Sequence, residues 1–421
     1  MLALQERLRT AAIYGDGRFG RADGRHAEAG SRRSKLRSKC QGVARAVSHG
    51  CCAMPFEILS EPGDAARWAA EIMALPRALR DIHYLPDYGR IYRHVHGFTP
   101  LLALYSSNEG CVVQPVVRRP LQPLPFLASA SDAGAFSDIA NAYGYGGPLS
   151  NAADAITARK LYAQFAVCFA TWCEEQGIAS EFASLHPLMT DHQRMLIGDT
   201  LALRHEKDVV IIELGGSEAE IDKRLRKGHH SSILLARRSG VRVERVEPSD
   251  ANIALFSAVY HETMLRRHAE KRWFLPENFF TETMRNLGPQ RSSLFFASVD
   301  GQLESACLLI HEFASAYYHF AATRATRPEL GVNNLIVWEA AIWAKAAGYS
   351  VLHLGGGVTS NHDDGLLRFK AGFSSRRAPL YTYFTVRDRA GYDVLCERKR
   401  SHERATTGAE STSDFVPLYR R

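Results

Sequence analysis

The chain has 421 residues, 46% hydrophobic, 10% aromatic and 23% charged, a balance that excludes a disordered, collagen-like or coiled-coil protein. Its net charge of +7 is local, because residues 1–53 carry 11 Lys/Arg against 4 acids and the rest of the chain is neutral. With a neutral body, the basic balance of the whole says little about a nucleic-acid-binding surface.

At roughly 100–200 residues per domain the length predicts two domains plus tails. These are a basic, disordered extension at 1–53, domains at 54–205 and 206–395, and a polar tail at 396–421. The alternative for the extension is a basic arm for RNA or anionic lipid. No apolar run reaches the roughly 20 residues of a membrane helix; Leu335–Ala347 is interrupted by Glu339 and Lys345. No secretory signal is expected at the N-terminus. The eight cysteines include no Cys-x-x-Cys pair, so no zinc or thioredoxin-type site is expected, and the expected compartment is a reducing cytoplasm.

Along the body, residues 64–80 read as an amphipathic helix, and 101–105 and 111–117 as strands. Residues 158–176 predict a helix with Leu161, Phe165, Phe169 and Trp172 on one stripe and Gly177 as its stop. A strand follows at 178–182. The second unit opens with a β-branched strand at 209–214, a basic helix over 218–238 ending at Gly240, and an alternating strand at 241–246. Ser249 or Asp250 caps a helix to about Arg267. Residues 294–299 and 303–311 form a hairpin about Asp300-Gly301, since Asp-Gly accepts the positive φ of a tight turn. A strand at 316–322, a helix at 333–347 stopped by Gly348, a strand at 351–354, the loop Gly355-Gly356-Gly357 and a strand at 380–386 complete an α/β pattern.

Three stretches carry a family resemblance in their order and spacing: Tyr143-Gly144-Tyr145-Gly146-Gly147-Pro148; Lys227-Gly228-His229-His230-Ser231-Ser232-Ile233 running into Ala236–Val241; and Leu354–Gly357 followed by Asp364–Ser374 with its Phe369-Lys370 pair. Over about 55–395 the chain resembles the FemAB-like branch of the GNAT superfamily, tandem-GNAT transferases related to enzymes that add amino acids from aminoacyl-tRNA to peptidoglycan precursors. The resemblance implies two GNAT-like domains with mixed, mostly antiparallel sheets flanked by helices. It also implies acyl or aminoacyl transfer to an amine on a cell-envelope or polysaccharide precursor. The donor is acyl-CoA or aminoacyl-tRNA, the acceptor an amine such as that of a nucleotide- or lipid-linked sugar, and no tightly bound cofactor or metal is implied. The chain departs from the peptidoglycan enzymes in having no recognisable helical arm for tRNA. Two alternatives stay open: an acyl-CoA-dependent N-acetyltransferase of a small amine or amino sugar, and a non-catalytic GNAT pair in polysaccharide assembly.

Acyl transfer from an activated ester needs an amine that loses its proton, a stabilised oxyanion and two substrates held close. The absence of a nucleophile elbow fits direct transfer. By the resemblance, Lys370 lies beside the donor, where its ammonium meets the oxyanion or a donor phosphate, and Phe369 lines that site. Asp364 either caps the Phe-Lys segment or orients an amine. The turn Arg327–Asn333, with Gly331 before a helix start, is a natural anion site of the kind GNAT enzymes use for the pyrophosphate of coenzyme A. Here Arg327 and Asn333 depart from their pattern, and an ordinary loop is the alternative. Gly355 and Gly356 belong to the same cofactor side. In the basic helix, Lys227, His230, Arg237 and Arg238 either clamp a diphosphate of the acceptor or form a solvated charged face. His230 and His186 are candidate bases. Tyr143 and Tyr145 either line a sugar or peptide groove or pack on the core.

Overall fold

The computed structural model describes residues 55–127, 136–361, 363–410 and 416–420, so the basic extension expected at 1–53 lies outside the described residues. The first half contains β1 (Phe56–Ser60), α1 (Ala65–Met73), α2 (Pro86–His96), β2 (Thr99–Ser107), β3 (Gly110–Pro120), β4 (Ser137–Ala140), β5 (Leu149–Ser150), α3 (Ala155–Glu175), β6 (Ile178–Ser184) and α4 (Thr190–Ile197). The helix expected over 64–80 ends at Met73. Pro76, lacking an N–H, cannot continue it, and short 3-10 turns at Arg77–Leu79 and Ile82–Tyr84 follow. Pro86 then starts α2 at the one helical position where a missing N–H costs nothing. α3 is the expected amphipathic helix: the Asp154 carboxylate accepts from the N–H groups of Ile156 and Thr157, and Leu161, Phe165 and Phe169 are buried.

The second half contains β7 (Arg204–Glu213), α5 (Glu218–Asp222), α6 (Lys227–Arg238), β8 (Arg242–Val246), α7 (Asp250–Arg266), α8 (Phe279–Leu287), β9 (Ser292–Val299), β10 (Gln302–Glu312), β11 (Ser315–Thr323), α9 (Val332–Ala346), β12 (Val351–Gly355), α10 (Gly365–Lys370), β13 (Arg377–Val386) and α11 (Arg389–Thr407). The basic helix expected at 218–238 is two helices. Arg226 takes an extended backbone between them and donates its N–H to the Gly372 carbonyl at 2.8 Å. The β9–β10 turn has Asp300 and Gly301 both at positive φ (48° and 75°), as the Asp-Gly pair predicted.

The thirteen strands form one sheet, ordered β1-β2-β3-β4-β6-β13-β7-β12-β11-β10-β9-β8 with β5 beside β3. Pairing is antiparallel except at β4–β6 and β11–β12. The halves are fused through β13, which pairs with β6 on one side (Thr382↔Ser184) and β7 on the other (Arg377↔Val210). Where β13 meets the first half, Glu181 accepts from Gln114 (2.7 Å), from the Tyr383 hydroxyl (2.6 Å) and from Arg387. The halves also meet where α2 packs on α8, with His94 2.9 Å from Glu282 and Arg291 2.8 Å from Asp87.

The C-terminal segment differs from the polar tail expected at 396–421. Residues 396–407 continue α11, whose Tyr392, Leu395 and Cys396 are buried. Beyond it Tyr419 is fully buried: its hydroxyl meets Ser180 Oγ (2.7 Å) and donates to Asp138 (3.1 Å). Asp138, itself inaccessible, is also paired with Arg119 (2.7 Å) and Arg420 (2.6 Å). Polar composition concealed a segment that supplies one aromatic side chain and one cation to a buried acid. Asp138→Ala would remove the buried carboxylate that Arg119, Arg420 and Tyr419 share and lower the unfolding free energy by about 3–5 kcal/mol, measured by urea unfolding; a loss below about 1 kcal/mol would contradict this anchoring role.

Candidate functional site at the strand fork

Parallel strands β11 and β12 pair only over Ser315–Tyr317 and Val351–His353, although β11 continues to Thr323 and β12 to Gly355. Beyond Tyr317 and His353 the two strands are no longer paired with each other, which frees main-chain donors and acceptors to meet something else. Side chains from both halves converge at this fork. Tyr145, from the loop before β5, sets its ring 5.1 Å from His353, 5.3 Å from His186, 5.2 Å from His83 and 6.3 Å from Tyr317.

Asp81 lies at the base of this cluster, about 1% exposed. Its carboxylate accepts from Nδ1 of His83 (2.6 Å), from the His83 backbone N–H (3.0 Å) and from the Tyr317 hydroxyl. His186 Nε2 is 2.9 Å from that hydroxyl and 3.4 Å from the carboxylate. Burial opposes the charge on Asp81, but the facing His186 and His83 hold its carboxyl well below the usual range. Burial also pushes His83 down, against the pull of Asp81, and pushes His353 and His319 well below an ordinary imidazole. These three rings are neutral at neutral pH.

Asp81, His83 and His186 bring three potential metal-ligating atoms within 4.8 Å of one another. Their other partners suit protons better than a metal. A metal-bound imidazole donates its second N–H to an acceptor, whereas Nδ1 of His186 faces the Leu188 N–H at 3.3 Å. In the neutral ring Nε2 therefore carries the proton and donates toward Tyr317, which donates onward to Asp81. Glycine 144 completes the arrangement: φ is +105°, and a Cβ there would lie 2.5 Å from His83 Nε2.

The glycine loop after β12 forms the other side of the site. Gly355 (φ +75°) donates its N–H to His353 Nδ1 at 3.0 Å. Lys370 turns inward from the end of α10 and donates to the Gly356 carbonyl at 2.8 Å, and Lys207 from β7 donates to the Gly357 carbonyl at 3.2 Å. Two ammonium groups thus address consecutive carbonyls. Desolvation, with Lys207 adding to it against Asp364, pushes Lys370 down to about 7. Asp364 is the α10 cap, accepting from Leu366 and Leu367 N–H (2.9 Å each) and also from Thr359 N–H (3.0 Å). Phe369 packs against His229 and Phe373, and its carbonyl is 2.8 Å from His229 Nε2.

The sequence-derived residues divide. Lys370, Phe369, Asp364, Gly355 and Gly356 come together in this loop and α10. Tyr145 joins the imidazole cluster, whereas Tyr143 packs on Phe320 (5.4 Å) as a core residue. His230 is paired with Asp222 (2.9 Å) and Arg237 with Glu339 (2.8 Å), while Lys227 and Arg238 are exposed on α6. Arg327 pairs with Asp300 (2.6 Å) on the β9–β10 turn. Gly331 caps α9, but a Cβ there would meet the Ser232 carbonyl of α6 at 2.7 Å, so this glycine serves helix–helix approach. Asn333 accepts from Ser305 Oγ (2.7 Å). Asp81, His83, Tyr317, His353 and Lys207 were not anticipated; the Asp-x-His spacing ahead of Leu85-Pro86 was their one local signal.

Lys370 binds its proton less tightly in the folded chain than in the unfolded one. Stability therefore rises with pH between about 7 and the unfolded lysine range. Lys370→Met should flatten this rise relative to wild type in urea unfolding between pH 7 and 10; parallel curves would contradict the desolvated ammonium.

Known proteins share parts of this chain and its fold. Residues 223–370 match the acetyltransferase (GNAT) domain family. No curated protein matches the sequence. The crystal structure of FemX superposes with a TM-score of 0.59 at 13% identity, covering 80% of this chain and 99% of that one. The C-terminal domain of a putative lysylphosphatidylglycerol synthetase from Agrobacterium fabrum gives 0.45 at 14% identity (79% and 95% covered). A tandem GNAT protein from the clavulanic acid biosynthesis pathway gives 0.43 at 10% (79% and 99%). The fold assignment rests on the first of these. Among the described residues no helix is long and apolar enough to cross a membrane. The chain shares the fold of FemX over most of its length, and residues 223–370 within it match the acetyltransferase (GNAT) domain family.

Proposed function

We propose that this protein is an acyltransferase that moves an acyl group from an activated ester to an amine at the β11–β12 fork. The observation that carries the reading is the inward-turned, desolvated Lys370 at the glycine loop, within the segment that matches the acetyltransferase domain. A positive charge fixed in a partly dry site is worth most where negative charge develops on an acyl oxygen or sits on a donor phosphate. Two fused GNAT-like units, 54–205 and 206–395, bring acceptor and donor surfaces to one seam.

The donor favoured here is acyl-CoA, because helices α7 and α8 pack on the sheet and no projecting helical arm for tRNA is present among the described residues. Aminoacyl-tRNA is the second donor reading. The acceptor class is an amine on a cell-envelope or polysaccharide precursor, with a small amino sugar as its simplest form. The exposed cations Lys227 and Arg238 of α6 are compatible with a nucleotide- or lipid-linked diphosphate on that acceptor. The GNAT pair acting without catalysis is the rival reading.

Thermal shift distinguishes the donors: a ligand at 100 times its Kd adds about 2.7 kcal/mol of stability. Acetyl-CoA should raise the melting temperature and uncharged tRNA should not; the reverse would favour the tRNA donor. In a CoA-release assay with a panel of amines and amino sugars, Lys370→Ala should lower kcat by about 10²–10³-fold with the fold intact. An unchanged rate in a folded Lys370→Ala protein would remove the observation on which the reading stands.

A further inference from the structure

The imidazoles of His83 and His353, both in contact with Tyr145, have complementary unmet hydrogen-bonding capacity. His83 is locked by Asp81: its Nδ1 carries the proton and donates to the carboxylate at 2.6 Å, so Nε2 is a bare acceptor. Among the described residues no side chain or main-chain group hydrogen-bonds to that nitrogen. His83 lines a narrow cavity shared with Asn141 and Tyr145. Glycine at position 144 keeps the nitrogen from being struck by a side chain.

His353 has the opposite tautomer. The Gly355 N–H is directed at its Nδ1 (3.0 Å), so Nε2 carries the proton, and that donor is buried without an acceptor. An unpaired donor in a residue 2% exposed costs free energy unless something fills the place. Both rings rest on the same two tyrosines: His83 is 5.2 Å from Tyr145 and 4.8 Å from Tyr317, and His353 is 5.1 Å and 5.3 Å from them. One locked acceptor and one locked donor, where β11 and β12 cease to pair, suit the proton transfer and, alongside the Lys370 charge, the acyl-oxygen stabilisation that acyl transfer needs.

We infer that His83, oriented by Asp81, is the proton acceptor of the transfer step, and that the Nε2–H of His353 is a hydrogen-bond donor to the acyl oxygen. This assignment rests on the acyltransferase reading above. The acceptor's nitrogen attacks the acyl carbon, forming the C–N bond as the bond to sulfur or oxygen of the donor breaks. His83 Nε2 takes the proton the nitrogen gives up and returns it to the departing thiolate or alkoxide, so ester plus amine yields amide plus thiol or alcohol. Asp81 is a positioning residue: it fixes which nitrogen of His83 is bare. Tyr145 and Tyr317 contact both rings.

The test uses the full chain with acetyl-CoA and the best acceptor from the amine panel. His83→Gln should lower kcat by about 10²–10⁴-fold with KM changed by less than about threefold. His353→Phe should lose about 10²–10³-fold, whereas His353→Gln, whose amide N–H replaces the imidazole donor, should stay within about tenfold of wild type. Nitrogen-15 spectra of histidine-labelled wild type give a readout independent of turnover: His83 should show the Nδ1–H tautomer and His353 the Nε2–H tautomer. A proton on His83 Nε2 at neutral pH, or wild-type turnover in His83→Gln, overturns the assignment while leaving acyl transfer in place. A wild-type protein that transfers no acyl group from acetyl-CoA or aminoacyl-tRNA overturns both.

Discussion

The buried carboxylate of Asp81 is the constraint around which the centre of the molecule is arranged. A carboxylate removed from water must be met by hydrogen bonds or it protonates. Asp81 is met by donors from both halves of the chain: the backbone and ring of His83 from its own turn, and the hydroxyl of Tyr317 from β11. Satisfying that one acid sets the register between the Ile82–Tyr84 turn and the fork and fixes the tautomer of His83. It also places the rings on which Tyr145 rests. The interaction is intramolecular glue and chemical orientation at once, because the same bonds that join the halves decide which nitrogens remain available.

The fused sheet holds this buried cluster in place. β13 closes the seam by pairing on both sides, with Glu181 and Arg387 as a second buried anchor, so the two halves hold one geometry without a mobile linker. Past β7 in the strand order, β12 and β11 pair briefly and then separate. The fork therefore sits within the fused sheet, with the imidazole cluster at His353 and the glycine loop that Lys370 addresses following it along the chain. Rigid positioning of donors and charge is what electrostatic catalysis requires.

Much of this was legible from local sequence. The α3 stripe, the Asp300-Gly301 hairpin, the β12–Gly355 loop and the Asp364 cap follow from periodicity, positive-φ turn chemistry and capping, all properties of near neighbours in the chain. The Phe369-Lys370 pair was also found, because it carries a motif. What was not legible depends on contacts between distant residues. Nothing in the sequence near Asp81 shows that Tyr317, 236 positions on, will donate to it. The pairing of Arg237 with Glu339 turned part of an apparent phosphate clamp into a surface salt bridge. The buried Tyr419 was missed because a polar stretch surrounds it. Composition averages over such single anchoring residues, and long-range partners decide them.

The claim that the β11–β12 fork is the reaction centre is tested most directly by a crystal structure with a non-hydrolysable thioether analogue of acetyl-CoA. The account predicts the acyl carbon in the fork, between His353 and the side of Tyr145 that faces His83, with the Gly355–Gly357 loop and Lys370 alongside the donor. An analogue bound with its acyl carbon on another face of the sheet, distant from Tyr145 and His353, would contradict it.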